Sequence, residues 1–217
     1  MKAFWNSPTN NWFQRFNHRG HIIRNYFAKK LVRNKNITIF SDNCMAGFIY
    51  HDLGLRFNSP FINGLCSTKD FLKFLHEPKY YLNQPLVFIP NPTGEKYPVA
   101  MIGDIRYNFI HYHSEEEALQ KWEERKARII WDNVYVIMTE KEDCTYNDLC
   151  SFNTLQSPFI KKKVVLCHKP YPEIKNAFYI RGFEDKPYCG IISDYKIGQL
   201  CGTRYYNDFN FINWINQ

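Results

Sequence analysis

Short β-branched or apolar runs alternate with stretches of helical periodicity along this chain, and that alternation constrains the fold more than any other feature. Asn36-Ile37-Thr38-Ile39-Phe40, Leu86-Val87-Phe88-Ile89, Val99-Ala100-Met101-Ile102, Tyr107 to Tyr112, Val134-Tyr135-Val136-Ile137-Met138, Val164-Val165-Leu166-Cys167 and Ala177-Phe178-Tyr179-Ile180 read as strands. Between them lie helical patterns: one begins near Phe48, one opens at Ser67-Thr68-Lys69-Asp70 and closes before Pro78, and one is short, over 145–153. The clearest runs from Ser114 to Trp131. Ser114 and Glu117 form a capping box, Glu115, Glu116 and Glu117 sit at the positive end of the dipole, and Arg125, Lys126 and Arg128 lie toward the negative end. Ala118, Leu119, Trp122, Ile129 and Ile130 make its expected buried stripe, and Glu117–Lys121 and Glu124–Arg128 its expected ion pairs. The pattern predicts an α/β fold: a mainly parallel sheet with flanking helices in Rossmann-like layers, and a basic helical arm at the N-terminus.

The boundaries fall at 1–35 for the arm, 36–185 for the α/β domain and 186–217 for an irregular aromatic tail packed on it. Of the 28 Lys and Arg, eight fall within residues 1–41, where no Asp or Glu occurs; the rest of the chain is close to neutral. Trp12, Phe16, Ile23, Phe27 and Leu31 recur near helical spacing among Arg15, Arg19, Lys29, Lys30 and Arg33. Such a stretch suits an anionic membrane surface, or a helix whose stripe packs on the domain. No nucleic-acid recognition motif accompanies the charge, so nucleic acid is not an expected partner. The first residues lack an apolar signal core and no run is long enough to span a bilayer, which predicts a cytoplasmic protein, peripheral at most at the inner face of the membrane. The seven cysteines are irregularly spaced without a C-x-x-C pair and read as free thiols.

Phosphate-loop, dinucleotide and zinc motifs are absent from the sequence. Cys44 follows the first strand, where open α/β sheets place their sites, and reads either as a nucleophile or as an inert small apolar residue in a tight turn. Asp42 and Asn43 precede it, Asn43 as a candidate oxyanion donor, and Gly47 permits close backbone approach. Alternation along an expected strand puts His111 and His113 on one face, before the helix that opens at Ser114. A neutral histidine there would serve Cys44 as general base, with Asp104 orienting it or binding substrate. H-x-H also suits a metal, but no third ligand is assured and none is expected. Glu142-Asp143 resembles the acidic pair of some glycosyltransferases and equally suits a solvated loop. Lys161-Lys162-Lys163, before a strand, reads as a gatekeeping or solvated run. His168 and Lys169, after a strand, would hold a phosphate or carboxylate.

The segment NKNITIFSDNC with Gly47, Tyr50, Leu53-Gly54 and Ser59-Pro60 resembles the opening of a bacterial family of unknown function often labelled exopolysaccharide biosynthesis protein. The likeness continues through Asp70-Phe71, Tyr80-Tyr81-Leu82, Asp104-Ile105, His111-Tyr112-His113-Ser114-Glu115-Glu116-Glu117-Ala118, Lys121-Trp122, Arg125, Arg128-Ile129, Asp132-Asn133, Asp143-Cys144-Thr145 and Lys169-Pro170, about residues 30–180. The family pattern favours His111 over His113 as the base. The resemblance implies an α/β protein of surface-polysaccharide (exopolysaccharide or capsule) assembly acting on a carbohydrate or lipid-linked sugar. A transferase moving an acyl group from acyl-CoA is the first expectation. The alternatives are a glycosyl- or glycerophosphate-type transferase using Asp42, Asp104 or Asp143, and a non-catalytic scaffold docked on the membrane. The expected site is Cys44, His111 and Asp104 for chemistry, with Asp42, Asn43, Gly47, His113 and Lys169 on the substrate.

Overall fold

The computed structural model describes residues 11–91, 94–196, 199 and 202–217, the side chains of 11–14 excepted. Trp12's side chain, Cys201, the first ten residues of the arm and part of the 90–98 loop lie outside the described residues.

Four strands build a parallel sheet in the order β1-β6-β7-β8: β1 (Thr38–Ser41), β6 (Val134–Thr139), β7 (Ile160–Cys167) and β8 (Ala177–Tyr179). A second, antiparallel sheet runs β2-β5-β4-β3: β2 (Leu65–Cys66), β3 (Leu86–Ile89), β4 (Val99–Ile102) and β5 (Ile105–Asn108). The expectation of one mainly parallel, Rossmann-like sheet therefore holds only in part. The second sheet arises because Val99–Ile102 and Ile105–Asn108 are joined by a two-residue turn with Gly103 at φ +61°, which forces a hairpin.

Strand alternation divides the interior. Phe40, Val136, Met138, Val165 and Cys167 point to one core, shared with the antiparallel sheet and with α3 (Thr68–His76), α5 (Glu115–Lys126) and α6 (Tyr146–Thr154). Ile39, Tyr135, Ile137, Val164 and Leu166 point to the other, which takes α2 (Met45–Leu53), α7 (Phe211–Asn216) and the tail residues Cys189, Ile192 and Tyr206. The remaining helices are α1 (Asn11–Leu31) and the short α4 (Pro78–Asn83).

Half of the expected α5 capping box forms: the Ser114 hydroxyl accepts from Glu117 N at 3.1 Å. The Glu117 carboxylate reaches His113 N at 3.0 Å instead of pairing with Lys121, which turns to Glu124. Trp122 is buried, but the inward face is Ala118, Trp122 and Arg125, and Leu119 is exposed. The helix stops at Lys126, short of the expected Trp131, because Ile130 N donates to Thr38 Oγ1 at 2.8 Å and draws the chain toward β1.

The three lysines of β7 are all engaged, two of them as helix caps. Lys163 donates to the carbonyls of Phe152, Asn153 and Leu155 at the end of α6, Lys162 to Trp214 O in α7, and Lys161 to Asn133. Cations at helix C-termini meet the negative end of the dipole and satisfy carbonyls that lack a helical partner.

Candidate functional site

The carboxyl ends of β1, β6 and β7 converge, and each delivers charged or polar side chains in the residues just past the strand. After β1, Asp42 is fully buried. Its Oδ1 accepts from Thr139 N at 3.3 Å, and its Oδ2 lies 2.8 Å from Lys141 Nζ as an ion contact rather than a directed hydrogen bond. Burial pushes the Asp42 carboxyl above its usual range against the opposing pull of Lys141. Burial disfavours the Lys141 ammonium too, yet Asp42 and its neighbours outweigh it and raise the lysine's pKa. Lys141 also donates to Cys66 O at 2.7 Å, so it ties β1, β2 and β6 together.

After β6 and β7 stands the pair Glu140–His168. Glu140 is 3% exposed and His168 5%. One carboxylate oxygen lies 2.6 Å from His168 Nδ1 and accepts from His168 N at 2.9 Å; the other accepts from the Tyr171 hydroxyl at 2.6 Å. A carboxylate at Nδ1 fixes the ring proton there and leaves Nε2 as the acceptor. Among the described residues no group is hydrogen-bonded to Nε2. Tyr171 lies edge-on to the imidazole, its ring centroid 6.3 Å away; the half-exposed Tyr146 lies 6.1 Å beyond, and Lys169 Nζ sits 5.3 Å from the Tyr171 ring.

The expected Cys44 site is held differently. Cys44 is the N-cap residue of α2, its thiol directed to Gly64 O at 3.8 Å, and burial pushes the thiol up to about 12, so it is a protonated donor at neutral pH. The Asn43 amide oxygen accepts from Met45 N at 3.0 Å and caps the start of the helix. Gly47 admits the neighbouring loop: a Cβ there would meet Asn63 Oδ1 at 3.3 Å. Asn63 itself has φ +61°, a left-handed conformation that asparagine tolerates.

β5 ends at Asn108, so His111 and His113 stand in a turn and the shared-face argument for them fails. His111 N donates to Asn63 O at 3.3 Å, next to the Gly64 carbonyl that receives the Cys44 thiol; the two segments are neighbours, with no hydrogen bond between the thiol and the imidazole among the contacts of the described residues. Partial burial lowers the His111 pKa. Asp104 is elsewhere. Its side chain is 63% exposed at the other end of β5, bonded to Lys73 at 2.8 Å and Tyr81 at 3.0 Å. Four residues of strand separate it from Asn108, roughly 13 Å at the strand rise, so it does not orient His111. Asp143 fixes the start of α3 by accepting from Thr68 N at 2.7 Å and Thr68 Oγ1 at 3.0 Å. The family-motif residues Tyr112 and Arg125 clamp the 59–64 loop: Arg125 donates to Tyr112 Oη at 2.5 Å, and that hydroxyl donates to Ile62 O at 2.9 Å.

Sequence reading singled out Asp42 and His168 but missed Glu140, Lys141 and Tyr171. An acid and a lysine immediately past a strongly apolar run were the available signal. No group of metal-ligand residues forms among the described residues, and no helix among them is long and apolar enough to cross a membrane.

These features define a two-sheet α/β protein whose parallel sheet carries a buried carboxylate–histidine pair at its carboxyl edge. The chain belongs to the family described as Domain of unknown function (DUF1919), which matches residues 15–216. The match therefore takes in most of α1 and the C-terminal tail, beyond the 30–180 of the sequence likeness. A protein of Haemophilus influenzae (strain ATCC 51907 / DSM 11121 / KW20 / Rd), described as an uncharacterized protein, is 40% identical over 200 residues, which cover 92% of this chain and 94% of that one.

Proposed function

We propose that the protein is a transferase of surface-polysaccharide assembly that acts on a sugar hydroxyl, with acyl transfer as its reaction and His168 as its general base. The observation that carries this reading is the 2.6 Å contact of Glu140 with His168 Nδ1 at the sheet's carboxyl edge, which leaves Nε2 open. Tyr171 and Tyr146 beside it suit the C–H face of a sugar ring, since aromatic faces accept such polarised C–H groups. The sequence resemblance supplies the polysaccharide context.

In this scheme the sugar hydroxyl gives its proton to His168 Nε2 as its oxygen attacks the carbonyl carbon of an acyl thioester. The new C–O bond forms, the C–S bond breaks, and the proton passes from Nε2 to the departing thiolate. Glu140 is the positioning residue that holds the tautomer. Cys44 takes no part, because its thiol is protonated and committed to Gly64 O.

The test is incubation of the purified chain with acyl-CoA donors and a panel of sugar acceptors, read by mass spectrometry of the acceptor. Acylated sugar formed by the wild-type chain and lost in His168→Gln is the expected result. Equal product from both proteins would remove His168 from the mechanism. Transfer from a nucleotide-sugar in place of acyl-CoA would replace acyl transfer with glycosyl transfer.

A further inference from the structure

α1 docks on the protein by its polar face. Asn17, His21 and Asn25, spaced four apart, are buried, and Val32 continues the same line. Asn17 Oδ1 accepts from Gly202 N at 2.9 Å, and His21 Nε2 and Asn25 Nδ2 lie 3.0 and 2.7 Å from Asp52 Oδ1. This is the reverse of the usual amphipathic arrangement, in which the apolar stripe faces the core. The large apolar side chains of the helix consequently face out: Ile22, Ile23 at 60% exposure, Tyr26, Phe27 at 59%, and Leu31. Ile23, Phe27 and Leu31 line a shallow groove of about 430 Å³ together with Ala28 and Ile212 of α7.

The same exposed surface carries Arg15, Arg19, Arg24, Lys29, Lys30, Arg33 and Lys35, with no acidic residue in the first 41 positions. That charge decides what covers the apolar residues. A second copy of this helix would set cations against cations. A bilayer with anionic headgroups offers, in one plane, acyl chain for Ile23, Phe27 and Leu31, an interfacial level for Tyr26, and negative charge for the flanking arginines and lysines. The helix is about 31 Å long at the α-helical rise, enough to lie along such a surface while its polar face stays bound to α2 and the tail.

We infer that α1 is a membrane-docking surface, which seats the protein on anionic bilayers through Ile23, Phe27 and Leu31 and the surrounding cations. This inference is independent of the proposed chemistry at His168 and stands or falls on lipid binding alone.

The experiment is co-sedimentation of the full chain with vesicles of phosphatidylcholine containing about one-third phosphatidylglycerol, against pure phosphatidylcholine. Two variants, Ile23→Asp/Phe27→Asp and Arg19→Glu/Lys30→Glu, change only exposed positions, and their circular dichroism melts report whether the fold is kept. The expected result is wild-type binding to the anionic vesicles alone, weakening as salt rises, and at least about tenfold weaker for each variant. Should one double variant melt, the other carries the comparison. Absence of binding to anionic vesicles at low salt, or equal binding by wild type and a folded variant, would overturn the inference. So would a concentration-dependent dimer that Ile23→Asp/Phe27→Asp abolishes, since it would give the face to a second copy.

Discussion

Among the described residues lie two buried carboxylate–histidine pairs, and they are finished differently. Around Asp52 every position is filled: His21, Asn25 and His51 contact Oδ1 and the Tyr206 hydroxyl donates to Oδ2, while the second ring nitrogen of His21 lies 3.3 Å from Gly202 O. Around Glu140 the carboxylate is equally well served, but the histidine it orients keeps one nitrogen open. Full satisfaction makes the first pair a joint, holding α1, α2 and the tail together. An unfilled valence on a held imidazole makes the second a place where a proton can arrive or leave. Burial and pairing alone do not separate the two roles; the count of unused donor and acceptor positions does.

That distinction can be broken most sharply at His168. His168→Gln retains a donor toward Glu140 and removes the base, so kcat should fall roughly 10²–10⁴-fold, measured by product formation, with little change in melting temperature. A variant that melted much earlier yet turned over normally would make this pair a joint as well. At the other pair the weight shifts to stability. Asp52→Ala strands His21 and the Tyr206 hydroxyl in the interior and should cost roughly 3–5 kcal/mol by urea denaturation, without direct effect on the chemistry.

Acid sharpens the same contrast. Burial alone would raise the Asp52 carboxyl, but the hydrogen bonds from His21 and His51, the His21 charge and the Tyr206 hydroxyl overcome it and hold the pKa well below the usual carboxylate range. A depressed folded-state pKa contributes stability that is complete above the unfolded value, about 3.9, and is lost as pH falls below it. The urea midpoint should therefore drop on going below about pH 4, and Asp52→Asn should flatten that drop. The smallest effect belongs to Lys169, whose exposed ammonium rests near the Tyr171 ring: Lys169→Ala should change stability by less than about 0.5 kcal/mol, and a larger loss would show that the ring depends on it.

Local signals were legible where they act within a few residues. The caps of α3 and α5 and the bounds of β3 and β4 follow from Ser67, Ser114 and short apolar runs. The candidate site was not legible to the same degree, because its pairs are made by topology. Glu140 and His168 lie 28 positions apart and meet only because β6 and β7 run parallel and adjacent. The Asp104 reading failed for the converse reason: a hairpin carried it to the wrong end of β5. For α1, periodicity identified the apolar stripe but not its direction, which is set by distant partners of the polar face, Asp52 on α2 and Gly202 in the tail.

Gly202 gives the joint a further meaning. It has φ +71°, and a Cβ on it would fall 2.2 Å from His21 N, so the tail passes against the backbone of α1 with nothing between. The hydrogen bond there links positions 185 apart in a chain of 217. A contact of such long sequence separation forms late, after the entropy of closing almost the whole chain into a loop has been met. During synthesis α1 leaves the ribosome well before the part of the tail that it meets. Until residue 202 emerges, Asn17 has no Gly202 to meet, and the nearer Asp52 of α2 alone is there to receive His21 and Asn25.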